Sequence, residues 1–135
     1  MAFADIDSAT TTQIEADLAE AAGRGINGSP ADIVESFEAE LADYLALPPD
    51  VRRAFPRGDT ARLYGTALGQ ALVREGFQWQ LLIDDYGTDL VVAKDVGSAG
   101  EKYTAPLVVV DQRFEDEEPG TPVSYTHLTL PTTPY

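Results

Sequence analysis

Four aspartates are the residues whose type and spacing come nearest to a reaction centre. Asp84 and Asp85 are adjacent, Asp89 follows four residues later and Asp111 lies further along the chain. Hard cations such as Mg²⁺ or Ca²⁺ take several carboxylate oxygens presented from a turn, which makes these four candidate ligands. Their spacing departs from that of a calcium loop, which alternates its ligands and closes on a bidentate glutamate. The run Asp84-Asp-Tyr-Gly87 is also what a hairpin turn prefers on conformational grounds. The turn is the preferred reading, and no metal is assigned.

The other motifs reduce to structure in the same way. Gly65 and Gly69 stand four apart, but inside a helical pattern, so no helix N-terminus follows a strand there to hold phosphate. Close packing accounts for them. Trp79 and Tyr86 could stack on a ligand, yet a tryptophan at an alternating strand position is ordinarily core. Arg57-Gly58-Asp59 coincides with a helix start, and Asn27-Gly28-Ser29 is a glycosylation acceptor only in a secreted protein. Glu115-Asp-Glu-Glu118 reads as a solvated charge run.

Cysteine is absent, which removes thiolate nucleophiles, disulfides and cysteine-based zinc sites. The single histidine is His127, in a C-terminal stretch unlike the chain before it. Residues 123–133, VSYTHLTLPTT, match one reading frame of a transposon-based sequencing adapter, and the codon preceding that frame must end in CT, as a proline codon can. The chain is therefore expected to be a metagenomic fragment: one domain over residues 1–122, truncated after about Thr121, followed by a non-native tail over residues 123–135. Without His127 no residue remains for a serine–histidine triad or a histidine-ligated metal.

The net charge of −14 is uneven: residues 1–50 carry eleven acids against Arg24 alone, and the rest carry twelve against eight bases. Such a field repels nucleic acid and anionic membrane and suits a basic protein partner. The first residues show no secretory signal, and no run reaches the roughly 18 apolar residues that a membrane span requires. The expectation is a cytoplasmic protein that needs no cofactor.

The elements that must position these residues follow from periodicity. A first helix is expected from about Thr11 to Ala22, capped by Asp7, Ser8 or Thr10, with Ile14, Leu18 and Ala21 inward. Ser29 and Pro30 start a second, whose Ile33, Val34, Phe37, Leu41, Tyr44 and Leu45 recur at intervals of three and four. After the break at Pro48-Pro49 and a short turn, Asp59 should cap a third helix that reaches Glu75 and stops at Gly76. Phe77, Trp79, Leu81 and Ile83 then alternate as the inward face of a strand. A turn at Gly87 and a second strand to Ala93 complete a hairpin. Leu107–Val110 reads as a third strand, with Pro106 at its start. The fold class is α+β: N-terminal helices on an antiparallel meander of about three strands. The third strand is apolar throughout, so an uncovered patch is expected near Val108 or Val110.

The order of residues 63–72 (LYGTALGQAL), Phe77-Gln-Trp79, Asp84 to Asp89, Ala105-Pro106 and Gln112-Arg113 resembles a bacterial family, domain of unknown function 3806. The likeness covers roughly residues 60–115. It implies a glycine-bearing helix, a Trp-bearing strand, an Asp-x-x-Gly turn and a proline followed by an apolar run ending in arginine. Members continue into a further helix. Gln112 replaces an expected basic residue, and the Gly-Ser-Ala-Gly loop at residues 97–100 is long. The family implies no agreed activity. The functional expectation is a non-enzymatic interaction or accessory domain with an acidic surface, the alternative being a carboxylate-based metal-dependent enzyme centred on Asp84–Asp89. Deleting residues 123–135 is expected to leave the far-ultraviolet circular dichroism spectrum unchanged in shape, because a non-native tail adds nothing to the core.

Overall fold

A computed structural model describes residues 2–116. His127 and the adapter-like tail lie outside those residues. The order of elements is β1 (Ala2–Ala4), α1 (Ser8–Gly23), α2 (Pro30–Leu45), α3 (Pro49–Ala54), α4 (Arg57–Val73), β2 (Gln78–Asp84), β3 (Gly87–Lys94), β4 (Lys102–Thr104) and α5 (Pro106–Asp116). The class is α+β, with five helices and one four-stranded antiparallel sheet in the order β1-β2-β3-β4.

Local chemistry sets the helix ends. The Asp7 carboxylate accepts from Thr10 N–H at 2.7 Å and caps α1. At α2, Ser29 Oγ accepts from Asp32 N–H while Asp32 accepts from Ser29 N–H, both at 3.1 Å, a reciprocal capping box. Asp59 was the expected cap of α4, but the helix starts earlier, behind Pro56, and Asp59 sits in its first turn paired with Arg62 at 2.9 Å. Gly76 closes α4 at φ +106°, with Phe77 N–H reaching Leu72 O and Gly76 N–H reaching Val73 O, the two bonds of a Schellman end.

Helix α4 is the centre of the molecule. It is buried over most of its length, between α1, α2, α5 and the sheet, as a helix without a wet face must be. Its glycines face two different neighbours. A Cβ on Gly65 would lie 2.5 Å from the backbone Cα of Leu107 in α5, whereas a Cβ on Gly69 would strike the Trp79 ring. On the α1 side the buried Asp17 carboxylate accepts from Gln13 Nε2 at 2.9 Å, Arg62 Nε at 3.1 Å and Thr66 Oγ1 at 3.4 Å. Leu18, expected inward, is half-exposed and Asp17 takes its place.

The expected third strand at Leu107–Val110 is the first half of α5. Pro106 opens this helix and not a strand; its missing N–H is one of the donors a first turn leaves unpaired anyway. Val109 N–H donates to Ala105 O at 3.0 Å, and Val110, Arg113 and Phe114 are buried at helical spacing. Contact with α4 outweighs the strand preference of three consecutive valines. The expected apolar patch is corrected with it: Val110 is 2% exposed against α4, and Val108 alone is exposed, at 44%.

The hairpin forms in register, Asp84 opposite Gly87, with Asp85 and Tyr86 as the loop and Gly87 at φ +134°. Its face assignment was half right. Phe77, Trp79 and Val92 pack with Leu72 and Val73 of α4, but Leu82 is buried on the opposite face while Ile83 is 43% exposed. That second face holds Leu82, Val91, Ala93 and Tyr103, with Phe3 against them. Phe3 and Tyr103 come from opposite edge strands, about 14 Å apart if the sheet were flat. Their ring centroids are 5.6 Å apart, so the sheet coils and the two rings meet across its concave side. Strand β1, absent from the sequence reading, supplies one of them.

Gly65→Ala is expected to destabilise the domain by about 1–3 kcal/mol, since a backbone contact cannot yield and overpacking exceeds the gain in helix propensity. Gly69→Leu is expected to lose a similar amount, roughly 1–3 kcal/mol, against the Trp79 ring. Gly58→Ala, in the same helix with nothing within 4 Å of its Cβ position, is the control. It should gain up to about 1 kcal/mol. Urea denaturation of the three variants measures the order.

Candidate functional site

The aspartates of the sequence reading do not converge. Asp84 Oδ1 accepts from Tyr86 N–H at 2.8 Å and holds the hairpin turn, Asp85 and Asp89 are exposed along the hairpin, and Asp111 is exposed on α5. Among the described residues no three acidic or histidine side chains are grouped to hold a metal ion. Trp79 and Tyr86 are also separate: Trp79 Nε1–H donates to Gln70 Oε1 at 3.2 Å over Gly69, and Tyr86 is 99% exposed at the hairpin tip. Gly65 meets the backbone of Leu107, the residue after Pro106, where α5 packs on α4, and Arg113 is buried in an ion pair with Glu38 of α2 at 3.2 Å.

A different set of residues is brought together around Tyr44, at the C-terminal end of α2. Pro48 and Pro49 separate α2, which ends at Leu45, from α3, which Pro49 starts. Helix α2 has no basic residue in its own last turn. Arg52 of α3 supplies the cation: its Nη2 donates to Leu45 O, in the last turn of α2, at 3.2 Å and to Leu47 O, just past the helix, at 3.3 Å. The Tyr44 ring is buried and built into an aromatic cluster, 5.0 Å from Phe55 and 5.3 Å from Phe114. The guanidinium groups of Arg52 and Arg57 stand 5.8 and 5.9 Å from its centroid.

Tyr44 is shared by two cavities of opposite character. One, of about 380 Å³, is lined by Tyr44, Pro49, Arg52, Arg53 and Arg57. The other, of about 450 Å³, is lined by Ser36, Ala39, Glu40, Asp43, Leu47 and the rings of Tyr44, Phe55 and Tyr64. In this second lobe Tyr64 O–H donates to Glu40 Oε2 at 2.7 Å, and its oxygen lies 3.1 Å from Ser36 Oγ. Burial pushes the Tyr64 hydroxyl up to about 12; Ser36 pulls the other way, and the bond to Glu40 and its negative charge add to the rise. Tyr64 is thus a neutral donor at physiological pH. The lobe has carboxylates, π faces and a locked phenol, with no nucleophile activated by a base, which is chemistry for holding a cation.

The sequence offered partial signals for this site. Tyr44 was legible as an inward position of α2, and Glu40 and Asp43 as polar positions beside it. Nothing in the spacing joined them to Arg52, Arg57 or Tyr64, because α3 and α4 fold back through two proline breaks.

Compared with known proteins, residues 52–125 match the profile of DUF3806, described as a domain of unknown function. No curated protein and no solved structure matches the chain. The matched segment begins at Arg52 and includes Arg53, Arg57 and Tyr64, whereas Ser36, Glu40, Asp43 and Tyr44 precede it.

The raised ionisation of Tyr64 makes stability depend on pH at the alkaline end. A tyrosine that ionises near 10 when unfolded and near 12 when folded contributes stability that is intact below about pH 10 and lost as the pH rises toward 12. Tyr64→Phe should flatten that loss and remove a late component of the tyrosinate absorbance titration; equal pH profiles for the two proteins would contradict it.

Proposed function

The chain belongs to the DUF3806 family, and from that premise and the geometry of the cleft we propose that it is a non-enzymatic interaction domain that receives a cationic side chain of a basic protein partner in the lobe between α2 and α4. The observation that carries this reading is the placement of Glu40 and Asp43, one helical turn apart, at a cavity of about 450 Å³ whose walls are Tyr44, Phe55 and Tyr64. A lysine ammonium or an arginine guanidinium entering there meets carboxylate oxygens and aromatic faces together, the two surfaces that favour a desolvated cation. Tyr64 occupies one oxygen of Glu40 and keeps the carboxylate aimed, while its own neutral hydroxyl adds no competing charge. The net charge of −14, most of it in residues 1–50 where Glu40 and Asp43 lie, draws a basic segment in from a distance.

The same field argues for a protein partner in the cytosol and against nucleic acid or an anionic membrane. Among the described residues no helix is long and apolar enough to cross a membrane. Nothing observed favours the metal-dependent alternative, since among the described residues no three of Asp84, Asp85, Asp89 and Asp111 are grouped to hold a metal ion.

Titration with a fluorescent lysine- and arginine-rich peptide tests the reading. The peptide is expected to bind with an affinity that falls as salt rises. Glu40→Gln combined with Asp43→Asn should weaken it on the order of tenfold, beyond what the loss of two charges elsewhere on the surface produces. Glu15→Gln with Glu35→Gln, exposed positions on α1 and α2, is the control for general charge. Equal losses in the two double variants would leave only non-specific attraction and reject the site.

A further inference from the structure

The arginine-lined cavity at Tyr44 carries an independent reading. Three of the nine basic residues of this acidic chain, Arg52, Arg53 and Arg57, line one cavity of about 380 Å³. Among the described residues only Arg53 has a carboxylate partner there, Asp50 at 2.6 Å, and that pair is largely exposed. Arg57 is half-buried, with its guanidinium 5.9 Å from the Tyr44 centroid and 5.8 Å from that of Phe114. Among the described residues it makes no side-chain hydrogen bond and no ion pair. Arg52 spends Nη2 on the α2 carbonyls, and its Nε–H is buried without a hydrogen-bond partner among the described residues.

A buried donor on a cation is costly to leave unmade, and proteins rarely leave one without a use. The folding of α2 explains why Arg52 is held in place. It does not explain why a second guanidinium lines the same cavity over the Tyr44 and Phe114 rings, with its fork unpaired among the described residues, in a chain where acids outnumber bases by more than two to one. Stacking on aromatic rings fixes the plane of a guanidinium and leaves its N–H edges for a ligand; two oxygens on one atom match that edge bidentately. We propose that the arginine lobe is a binding site for an oxyanion, a carboxylate or a phosphate group, held chiefly by Arg57 with Arg52 beside it. The site shares only Tyr44 with the lining of the cation lobe and stands whether or not that lobe takes a basic side chain.

The test is side-chain Nε–Hε NMR of the full chain, titrated separately with inorganic phosphate and with succinate. Saturable shifts at Arg57 and Arg52 are expected with at least one probe. Saturation by phosphate alone assigns a phosphate site, and saturation by succinate alone assigns a carboxylate site. Arg57→Gln should weaken that binding on the order of tenfold or more, and Arg57→Lys, which keeps the charge and the apolar stem but not the fork, should weaken it as well. The Glu40→Gln/Asp43→Asn protein should bind the anion at least as well as the parent, which separates this site from the cation lobe. Shifts no larger than those from sodium chloride at matched ionic strength overturn the proposal, as does unchanged affinity in both Arg57 variants.

Discussion

The close approach that Gly65 and Gly69 allow is the constraint on which the rest of the molecule depends. Helix α4 has neighbours on every side, and two of them come nearer than a side chain would permit: the α5 backbone at Leu107 over Gly65, and the Trp79 ring over Gly69. Glycine costs about 1 kcal/mol against alanine at each position, and tertiary packing offsets it. With α5 seated at that distance, Phe114 is fully buried and reaches Phe37, Tyr44 and Phe55 with ring centroids 5.2 to 6.1 Å apart. Tyr44, and with it the cleft, is therefore positioned from behind by a helix whose approach is set about two turns away by an absent side chain.

Charge is used sparingly inside and freely outside. Asp17 with Arg62 ties α1 to α4, and Glu38 with Arg113 ties α2 to α5. A well-packed apolar pair could match such ion pairs in energy, but breaking one partner away leaves a buried charge, which makes each pair a strong requirement on how its two helices sit. Around Tyr44 the rule differs. Basic and acidic residues line two cavities that share one ring, with Glu40 bonding to Tyr64 and Arg52 to backbone carbonyls. Charge set beside aromatic surface distinguishes this region from the hairpin aspartates, of which Asp84 closes its own turn by accepting from Tyr86 N–H.

The sheet shows the same economy on a smaller scale. Three-residue edge strands cannot cover a face by hydrogen bonding alone, and β1 and β4 do so through Phe3 and Tyr103, which meet over Leu82, Val91 and Ala93. Coiling of the sheet turns a face that the strand pattern marks as wet into a second small core.

What the sequence by itself determined is local. The capping box at Ser29, the proline start and stop of α2, the glycine end of α4 and the Asp84–Gly87 turn all rest on bonds between residues a few positions apart, so the spelling of the chain is enough to read them. The family order of residues 60–115 was legible for the same reason. The tertiary structure alone decided the rest. Leu107–Val110 has strand-forming residues, and only α4 waiting with Gly65 makes a helix there the better burial. Strand β1 is too short for any periodicity to mark, and needs β2 beside it to exist. Leu82 is inward only because the sheet coils. The cleft joins Glu40 and Tyr44 of one helix to Arg52, Arg57 and Tyr64 beyond two proline breaks, and a contact between residues so separated has no local spelling: it follows from how helices whose own ends are locally encoded are packed against one another.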